Sequence, residues 1–504
     1  MHQHLPSPYC VSDLPLLCLM IIVAISQLEG TMVFCSHRFI FAFFPIVFAG
    51  YWIIARFVGH RASKVWMIAA SLCFYAKGNV AFLPLLVFTT CFNYCIARGL
   101  TLKPKGSPAA KFLLGLGIVE NLGFLFYFKY TNFFIDNINR FLGTAIQQQN
   151  ISLPLGISFY TFLILSCLVD TYKGKSETHS FIDFAMFVTF FPHLIVGPIS
   201  HHYDMVPQFY AEDFYEINDR NIMQGILLFS IGCAKKVLIA EPLIAHAQNF
   251  YNVMGTGTFF QAWGGVIAYT FAYYFDFSGY TDMAQGIALF FNIKLPFNFD
   301  SPYKARGFAD FWRRWNITIS RFFQEHIFSN IFHFGDSLGR LMVATMATFL
   351  VSGLWHGAGW HFIFWGAANG ILVCISNIMT LKRKKLQPTL AWALTFLMIL
   401  FTRVLFDSNS MTQALAVYGN MLDLRPLFAD ANAFWAEGLS YLKSNLSIIC
   451  LMGVAALISF FAPSTRQICA SFEPKWYYAL CCGIIFAASL FFMGKVSSFL
   501  YFQF

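Results

Sequence analysis

The sequence predicts an all-α, polytopic integral membrane protein. Of its 504 residues, 58% are hydrophobic and only 11% are charged, whereas an ordinary soluble domain has about 25% charged residues. The apolar residues form continuous runs, such as the one from Phe39 to Ile54, and not the alternation typical of a transmembrane barrel. An open sheet in lipid would leave backbone amides unpaired, so these runs are predicted to be helices. This composition excludes a disordered chain, a fibrous repeat and a large soluble enzyme.

A series of apolar runs along the chain predicts the membrane helices. A straight membrane span needs about 20 residues, and several runs are shorter than this. We therefore expect some of them to be re-entrant or to lie inside the bundle. The candidate spans are residues 14–27, 39–58, 64–77, 80–98, 112–130, 153–169, 181–199, 222–240, 258–275, 280–293, 341–354, 358–378, 390–406, 446–462 and 477–498.

The formal net charge of +9 is interpreted as the excess of Lys and Arg in cytoplasmic loops of a membrane protein, not as a nucleic-acid-binding surface. Basic loops occur at Arg56 to Lys64, Lys103 to Lys111 and Lys382 to Lys385. We expect these loops to be cytoplasmic.

The segment from Phe308 to Phe323 differs from the spans because it is rich in charge. Its apolar residues fall on one stripe at helical spacing, and its Asp and Arg residues fall off that stripe. This pattern predicts one amphipathic helix at the membrane interface. The alternative is a surface helix that anchors the fold through its Arg residues.

The strongest local candidate for a functional site is the run from Gly353 to Gly366, GLWHGAGWHFIFWG. It places His356 in an apolar setting, and an ionisable residue at membrane depth is a functional hypothesis by default. The alternative is a core histidine satisfied by a neighbouring carbonyl. Gly353 and Gly357 form a small-xxx-small pair that allows either close helix packing or close approach of a thin substrate. His356 and His361 are five residues apart, which places them on different faces of a helix, and no metal site is expected.

The run YFDFSGYTDMAQG holds the second candidate, Asp276 and Asp282. Buried carboxylates need partners, and the nearby Arg residues of 306–321 are candidates to supply them. A structural ion-pair role is favoured over catalysis.

The chain carries, in order, the motifs MVFCSHRFIFAFFPI, LFYFKYTNFF, LPLGISFYTF, FFPHLIVGPI, YFDFSGYTDMAQG, LPFNFDSPYKA, DFWRRWNITIS, GLWHGAGW and the final YFQF. Together these motifs resemble those of the membrane-bound O-acyltransferases, in particular the bacterial alginate O-acetylases and the related D-alanyl teichoic acid transferases. The resemblance covers almost the whole chain from Met32.

This resemblance implies a multi-helix bundle with a central tunnel, in which a cytoplasmic acyl thioester meets an acceptor from the other side. His356 matches the catalytic histidine of the family. A second histidine is usual in the FWRRWH motif, where this chain has Asn316, so a two-histidine mechanism is not expected. A neutral His356 would act as general base, and the Asn316 amide would hold the acyl carbonyl or stabilise the oxyanion. Arg313, Arg314 and Trp355 are expected to contact the donor.

The resulting prediction is a multi-pass enzyme of the bacterial inner membrane that moves acetyl from acetyl-CoA towards hydroxyls of an exported polysaccharide, as in alginate O-acetylation. No permanently bound cofactor is expected. The acceptor is the polysaccharide itself or a periplasmic acetyl-transferring partner protein. Two alternatives remain open: a transporter that uses Asp276, Asp282 and His356 as an ion or proton relay, and a non-catalytic scaffold of a polysaccharide export complex.

The family resemblance begins at Met32, and residues 1–31 match nothing in its pattern. Residues 14–25 are apolar, but the preceding stretch lacks the Lys/Arg region of a signal peptide. We therefore expect residues 1–31 to be a dispensable extension and residues 32–504 to form one membrane-embedded domain.

Overall fold

The computed structural model describes residues 32–253, 257–384, 386–495 and 500. These residues form helices and connecting turns, and none of them lies in a β-strand. The predicted extension 1–31 and the candidate span 14–27 lie outside the described residues. The longer helices are α1 (Phe44–Phe57), α2 (His60–Asn79), α3 (Leu83–Leu102), α4 (Pro108–Leu142), α5 (Ile157–Lys173), α6 (Phe181–Thr189), α7 (Asp219–Ala234), α8 (Glu241–Asn252), α9 (Phe259–Leu289), α10 (Phe308–Arg314), α11 (Ile317–Phe323), α12 (Leu338–His356), α13 (Trp360–Leu381), α14 (Pro388–Asp407), α15 (Met411–Leu422), α16 (Ala431–Ser444), α17 (Leu446–Phe461) and α18 (Trp476–Phe492).

Among the described residues, 7 helices are long and apolar enough to cross a membrane, or up to 8 if the bent pair α16 and α17 forms one span. Two of these spans continue through a turn of π-helix, before α1 and between α7 and α8. The prediction of an all-α, polytopic membrane protein is confirmed. The 7 spans are Phe39–Phe57, Val80–Leu102, Pro108–Leu142, Asp219–Asn252, Leu338–His356, Trp360–Leu381 and Pro388–Asp407.

Three of the candidate spans are not separate membrane spans in the structure. The candidates 258–275 and 280–293 belong to one helix, α9. Asp276, which lies between them, stays helical and is paired with Lys236 inside the protein. The candidate 181–199 contains only α6, which has 9 residues, and a short turn at Phe191–Leu194. All of its residues from Asp183 onwards are buried in the protein, so apolar character there reflects the core and not lipid contact.

Helix α9 is the central element of the bundle. Every residue from 268 to 289 is buried, and α9 packs against α7, α8, α14 and α15. At the crossing with α7, a Cβ on Gly232 would lie 2.6 Å from the carbonyl oxygen of Gly279. Two glycines therefore let these backbones approach each other directly, as small residues do at helix interfaces in membranes.

Two of the basic loops lie at one end of the bundle. The Lys64 Nζ, after α1, lies 2.5 Å from Asp183 Oδ1, and the Arg98 guanidinium, near the end of α3, lies 2.8 Å from His179 Nδ1. Lys64 and Arg98, which flank these loops, therefore both contact the chain at the start of α6. This shared basic end is the feature that the positive-inside rule associates with the cytoplasm.

Candidate functional site

A cavity of about 380 Å³ opens between α9, the pair α10 and α11, and the helices α12, α13 and α14. It is lined by both residues that the sequence predicts as catalytic, His356 and Asn316. Aromatic side chains form much of the remaining wall. Its polar lining consists of Arg313, Asn316, Ser320, Gln324, Thr345, Thr348, Ser352, His356, Asn369, Asn377, Thr380, Thr402 and Arg403.

His356 is the last residue of α12, and residues 357–359 form an extended break before α13 begins. Its side chain is buried, and its ring lies edge-on at 4.9 Å from the rings of both Trp365 and Phe406. The prediction that His356 and His361 lie on different faces of one helix is wrong, because the glycine-rich break puts them on two helices. His361 is buried and does not line the cavity.

The glycines of this region bring α12 and α13 together. A Cβ on Gly353 would lie 2.4 Å from the carbonyl oxygen of Phe362 and 3.2 Å from the Cα of Gly366. The small-xxx-small pattern therefore serves close helix packing here. This packing places the end of α12 against Trp365 of α13, next to His356.

Asn316 separates two short helices where the sequence predicts one amphipathic helix, and that prediction is wrong. Its backbone adopts the left-handed conformation, with φ 42° and ψ 59°, and the amide of Ile317 donates to the carbonyl of Asn298 at 2.9 Å. Asn tolerates this conformation better than most residues. The break turns the buried Asn316 side chain into the cavity, where it has no hydrogen-bond partner among the described residues.

The apolar stripe of this segment packs against the protein and not against lipid. Phe308, Trp315, Ile319 and Phe322 are all buried. Two of its Arg residues form ion pairs, as the surface-helix alternative proposed. Arg314 pairs with Asp310, and Arg321 pairs with Glu325.

The three residues expected to contact the donor occupy different environments. Arg313 lines the cavity, and its side chain is 76% exposed. Arg314 does not line the cavity, and its Nε donates to Asp310 at 3.0 Å. Trp355 is buried outside the cavity, with its ring stacked on Phe162 at 5.3 Å. Of the three, only Arg313 is placed to meet a molecule that enters the cavity.

Sequence reasoning missed Arg403, a buried cation in the cavity wall. Its guanidinium lies 4.0 Å from the centre of the Tyr273 ring and 4.7 Å from that of Phe406, and it donates two hydrogen bonds to Asp407. The signal was a lone Arg inside the apolar run FLMILFTRVLF. Charge within a membrane span faces the bundle interior in most proteins.

Asp276 and Asp282 have the predicted ion-pair role, but the expected partners were wrong. Lys236 pairs with Asp276 at 2.6 Å and Lys235 with Asp282 at 2.6 Å. Both lysines come from the π-helical turn between α7 and α8. Neither aspartate lines the cavity that holds His356.

Asp170, His201 and Glu325 form a second polar cluster away from the cavity, with one ligand-type atom of each within 4.8 Å of the others. Burial tends to raise the pKa of Glu325, but the Arg321 hydrogen bond and the nearby His201 and Lys175 charges hold that pKa below its usual value. With Arg321 and Lys175 beside it, this cluster is an ion-pair network that joins the end of α5 to the segment after α11.

A bundle of apolar helices in which a buried histidine and a buried amide line the same cavity indicates an intramembrane enzyme. The family model of the membrane-bound O-acyltransferases matches residues 105–406, and the chain belongs to this family. It is an O-acyltransferase.

Three relatives show the range of this similarity. A peptidoglycan O-acetyltransferase of Helicobacter pylori is 36% identical over 518 residues, covering 94% of this chain and 98% of the relative. A probable alginate O-acetylase of Pseudomonas aeruginosa is 37% identical over 402 residues, covering 77% of this chain and 75% of the relative. A teichoic acid D-alanyltransferase of Streptococcus thermophilus is 27% identical over 253 residues, covering 46% and 59%.

Proposed function

We propose that this protein transfers acetyl from acetyl-CoA, across the bacterial inner membrane, towards hydroxyl groups of a cell-wall polysaccharide. The observation that carries this proposal is that His356 and Asn316, from separate parts of the chain, line the same cavity. The acceptor hydroxyl is that of the polysaccharide or of a periplasmic partner protein that passes the acetyl group on.

In this reaction the His356 imidazole takes the proton of the attacking hydroxyl as the oxygen forms a bond to the acetyl carbonyl carbon. The carbon–sulfur bond then breaks, and the departing thiolate takes the proton from the imidazolium. The Asn316 amide donates a hydrogen bond to the oxyanion between these steps, a type of contact worth about 3 kcal/mol. The aromatic wall around His356 excludes the water that would otherwise hydrolyse the thioester.

We infer peptidoglycan as the acceptor polymer in place of alginate. The peptidoglycan-modifying relative aligns with 94% of this chain, whereas the alginate-modifying relative aligns with 77%. Similarity over nearly the whole chain supports a shared acceptor better than similarity over part of the chain does.

The transporter alternative is less well supported by the geometry. A proton or ion relay needs neighbouring titratable groups, but Asp276 and Asp282 are paired with lysines and do not share the cavity of His356. The scaffold alternative predicts that replacing His356 has no effect on polysaccharide acetylation.

The test is acetyl transfer by the purified protein in lipid nanodiscs, with radiolabelled acetyl-CoA and, in parallel, peptidoglycan or alginate fragments. We expect thioester consumption that depends on the acceptor in the wild type and none in His356→Ala. The matched control is His361→Ala, a buried histidine outside the cavity. Transfer by His356→Ala at the wild-type rate would contradict the proposed mechanism, and labelling of alginate alone would contradict the acceptor.

A further inference from the structure

Helix α4 carries a lysine in the middle of its apolar run LFYFKYTNFF. The Lys129 Nζ donates to the carbonyl oxygen of Trp355 at 2.6 Å and to that of His356 at 2.9 Å. The adjacent Tyr130 hydroxyl donates to the carbonyl of Leu354 at 2.5 Å. Two neighbouring side chains of α4 thus bind three consecutive carbonyls at the end of α12.

These carbonyls need partners because the last four carbonyls of a helix have no intrahelical donor. The extended backbone of residues 357–359 does not continue the helix. The aligned peptide dipoles also leave partial negative charge at a helix C-terminus, which a cation stabilises. Lys129 supplies both the donors and the positive charge at this end.

No other partner explains the position of Lys129. Among the described residues, no carboxylate lies within 4.0 Å of its Nζ, whereas Lys235 and the buried Lys236 are each paired with an aspartate. A lysine in a membrane span is costly unless it is paired. Here the partners are backbone carbonyls, one of them that of His356 itself.

Helix α4 also holds the other side of the break. The Trp360 indole Nε1, at the first residue of α13, donates to Asn137 Oδ1 at 2.9 Å. Lys129 and Asn137 therefore bind the two helix ends that flank residues 357–359. The ring of His356 is in turn packed against Trp365 and Phe406, so both its backbone and its ring are held.

We propose that Lys129, assisted by Tyr130, is a positioning residue for the acyl-transfer reaction. It acts through the carbonyls of Trp355 and His356, and it holds the imidazole of His356 at the cavity wall without touching the substrates. This inference rests on the proposed function, in which His356 is the general base. A displacement of a catalytic group by about 1 Å can lower a rate by about 100-fold.

The test compares kcat and KM for acetyl-CoA in Lys129→Met, Lys129→Arg and Tyr130→Phe, all in nanodiscs. Lys129→Met keeps the length of the side chain but removes its donors, and we expect kcat to fall by about 100-fold with little change in KM. Lys129→Arg keeps the hydrogen-bond donors and the charge, and should retain much of the wild-type kcat. Tyr130→Phe removes one hydrogen bond and should lower kcat by about 3- to 10-fold. The control is Lys111→Met, an exposed lysine of the same helix.

A wild-type kcat in Lys129→Met, or a rise in KM alone, would overturn the proposal. If Lys129→Met is not recovered folded, Tyr130→Phe and Lys129→Arg decide the matter, and an unchanged kcat in Tyr130→Phe would overturn it. His356→Ala separates the two hypotheses. An active His356→Ala would refute the proposed function. An inactive His356→Ala together with a fully active Lys129→Met would refute only the positioning role of Lys129.

Discussion

Replacing Asn316 with different residues separates its side chain from its backbone. In the structure the amide faces the cavity, and the residue occupies the left-handed region that glycine and asparagine adopt most readily. Asn316→Gly removes the amide and keeps this backbone conformation. Asn316→Ala removes the amide and adds the left-handed strain of an ordinary L-residue, about 1–2 kcal/mol.

We expect both variants to lose the oxyanion contact and therefore to transfer acetyl about 100- to 1,000-fold more slowly. Only Asn316→Ala should also lose about 1 kcal/mol or more of stability from the backbone. Asn316→His should retain partial function, since histidine is also enriched at positive φ and still offers a hydrogen-bond donor. The pH dependence of the rate should stay unchanged in Asn316→Gly, because an amide does not titrate.

The measurements are single-turnover transfer rates against pH and thermal unfolding in detergent, at matched protein concentration. A transfer rate of Asn316→Gly within about 3-fold of wild type would refute the reasoning. In that case the role of Asn316 would be the backbone break alone. Equal stability of the Gly and Ala variants would refute the strain argument separately.

Three further predictions follow from contacts in the fold. Arg313→Ala should raise the KM for acetyl-CoA and make this KM less dependent on salt. The reason is that Arg313 is an exposed cation at the cavity, and ions screen its attraction for the donor phosphates. An unchanged KM would exclude this contact. Gly353→Ala should lower the free energy of unfolding in detergent by about 1–3 kcal/mol, because the new methyl would meet a backbone carbonyl. In the control Gly453→Ala, the new methyl meets nothing within 4 Å, so this variant should be neutral or slightly stabilising. Burial tends to raise the pKa of Asp183, but its bonds with Lys64 and Tyr210 hold that pKa below its usual value. These bonds therefore stabilise the fold above about pH 4, and the stabilisation is lost as the pH falls through the lowered pKa. Asp183→Asn should make the unfolding temperature fall less steeply at acid pH, and an unchanged fall would exclude these bonds as its source.

The features that depend on composition and on local order were predictable from the sequence. Continuous apolar runs predict spanning helices because lipid offers no hydrogen-bond partners to the backbone. The candidate spans 341–354 and 358–378 are separated at the glycine-flanked break between α12 and α13, although the spacing of His356 and His361 was interpreted within one helix. The ordered motifs likewise identified the family before any contact was known.

The sequence was least informative where a residue's role depends on distant neighbours. The stripe from Phe308 to Phe323 has the periodicity of one helix, but the contact with Asn298 and the left-handed Asn316 divide it. Asp276 and Asp282 were expected to pair with arginines close in sequence, but they pair with lysines about 40 to 50 positions earlier in the chain. Arg403 shares its cavity with Asn316, although the two are far apart in sequence.

By itself, the sequence determined that this protein is a helical membrane enzyme of one family and that His356 and Asn316 are its candidate catalytic residues. Its tertiary structure decided that these two residues line one cavity, and that Arg403 belongs to the same wall. It also decided that Lys129 holds the end of α12. The physical reason is that apolar periodicity is a property of neighbouring residues, whereas the partner of a buried charge is set by the packing of helices distant in sequence.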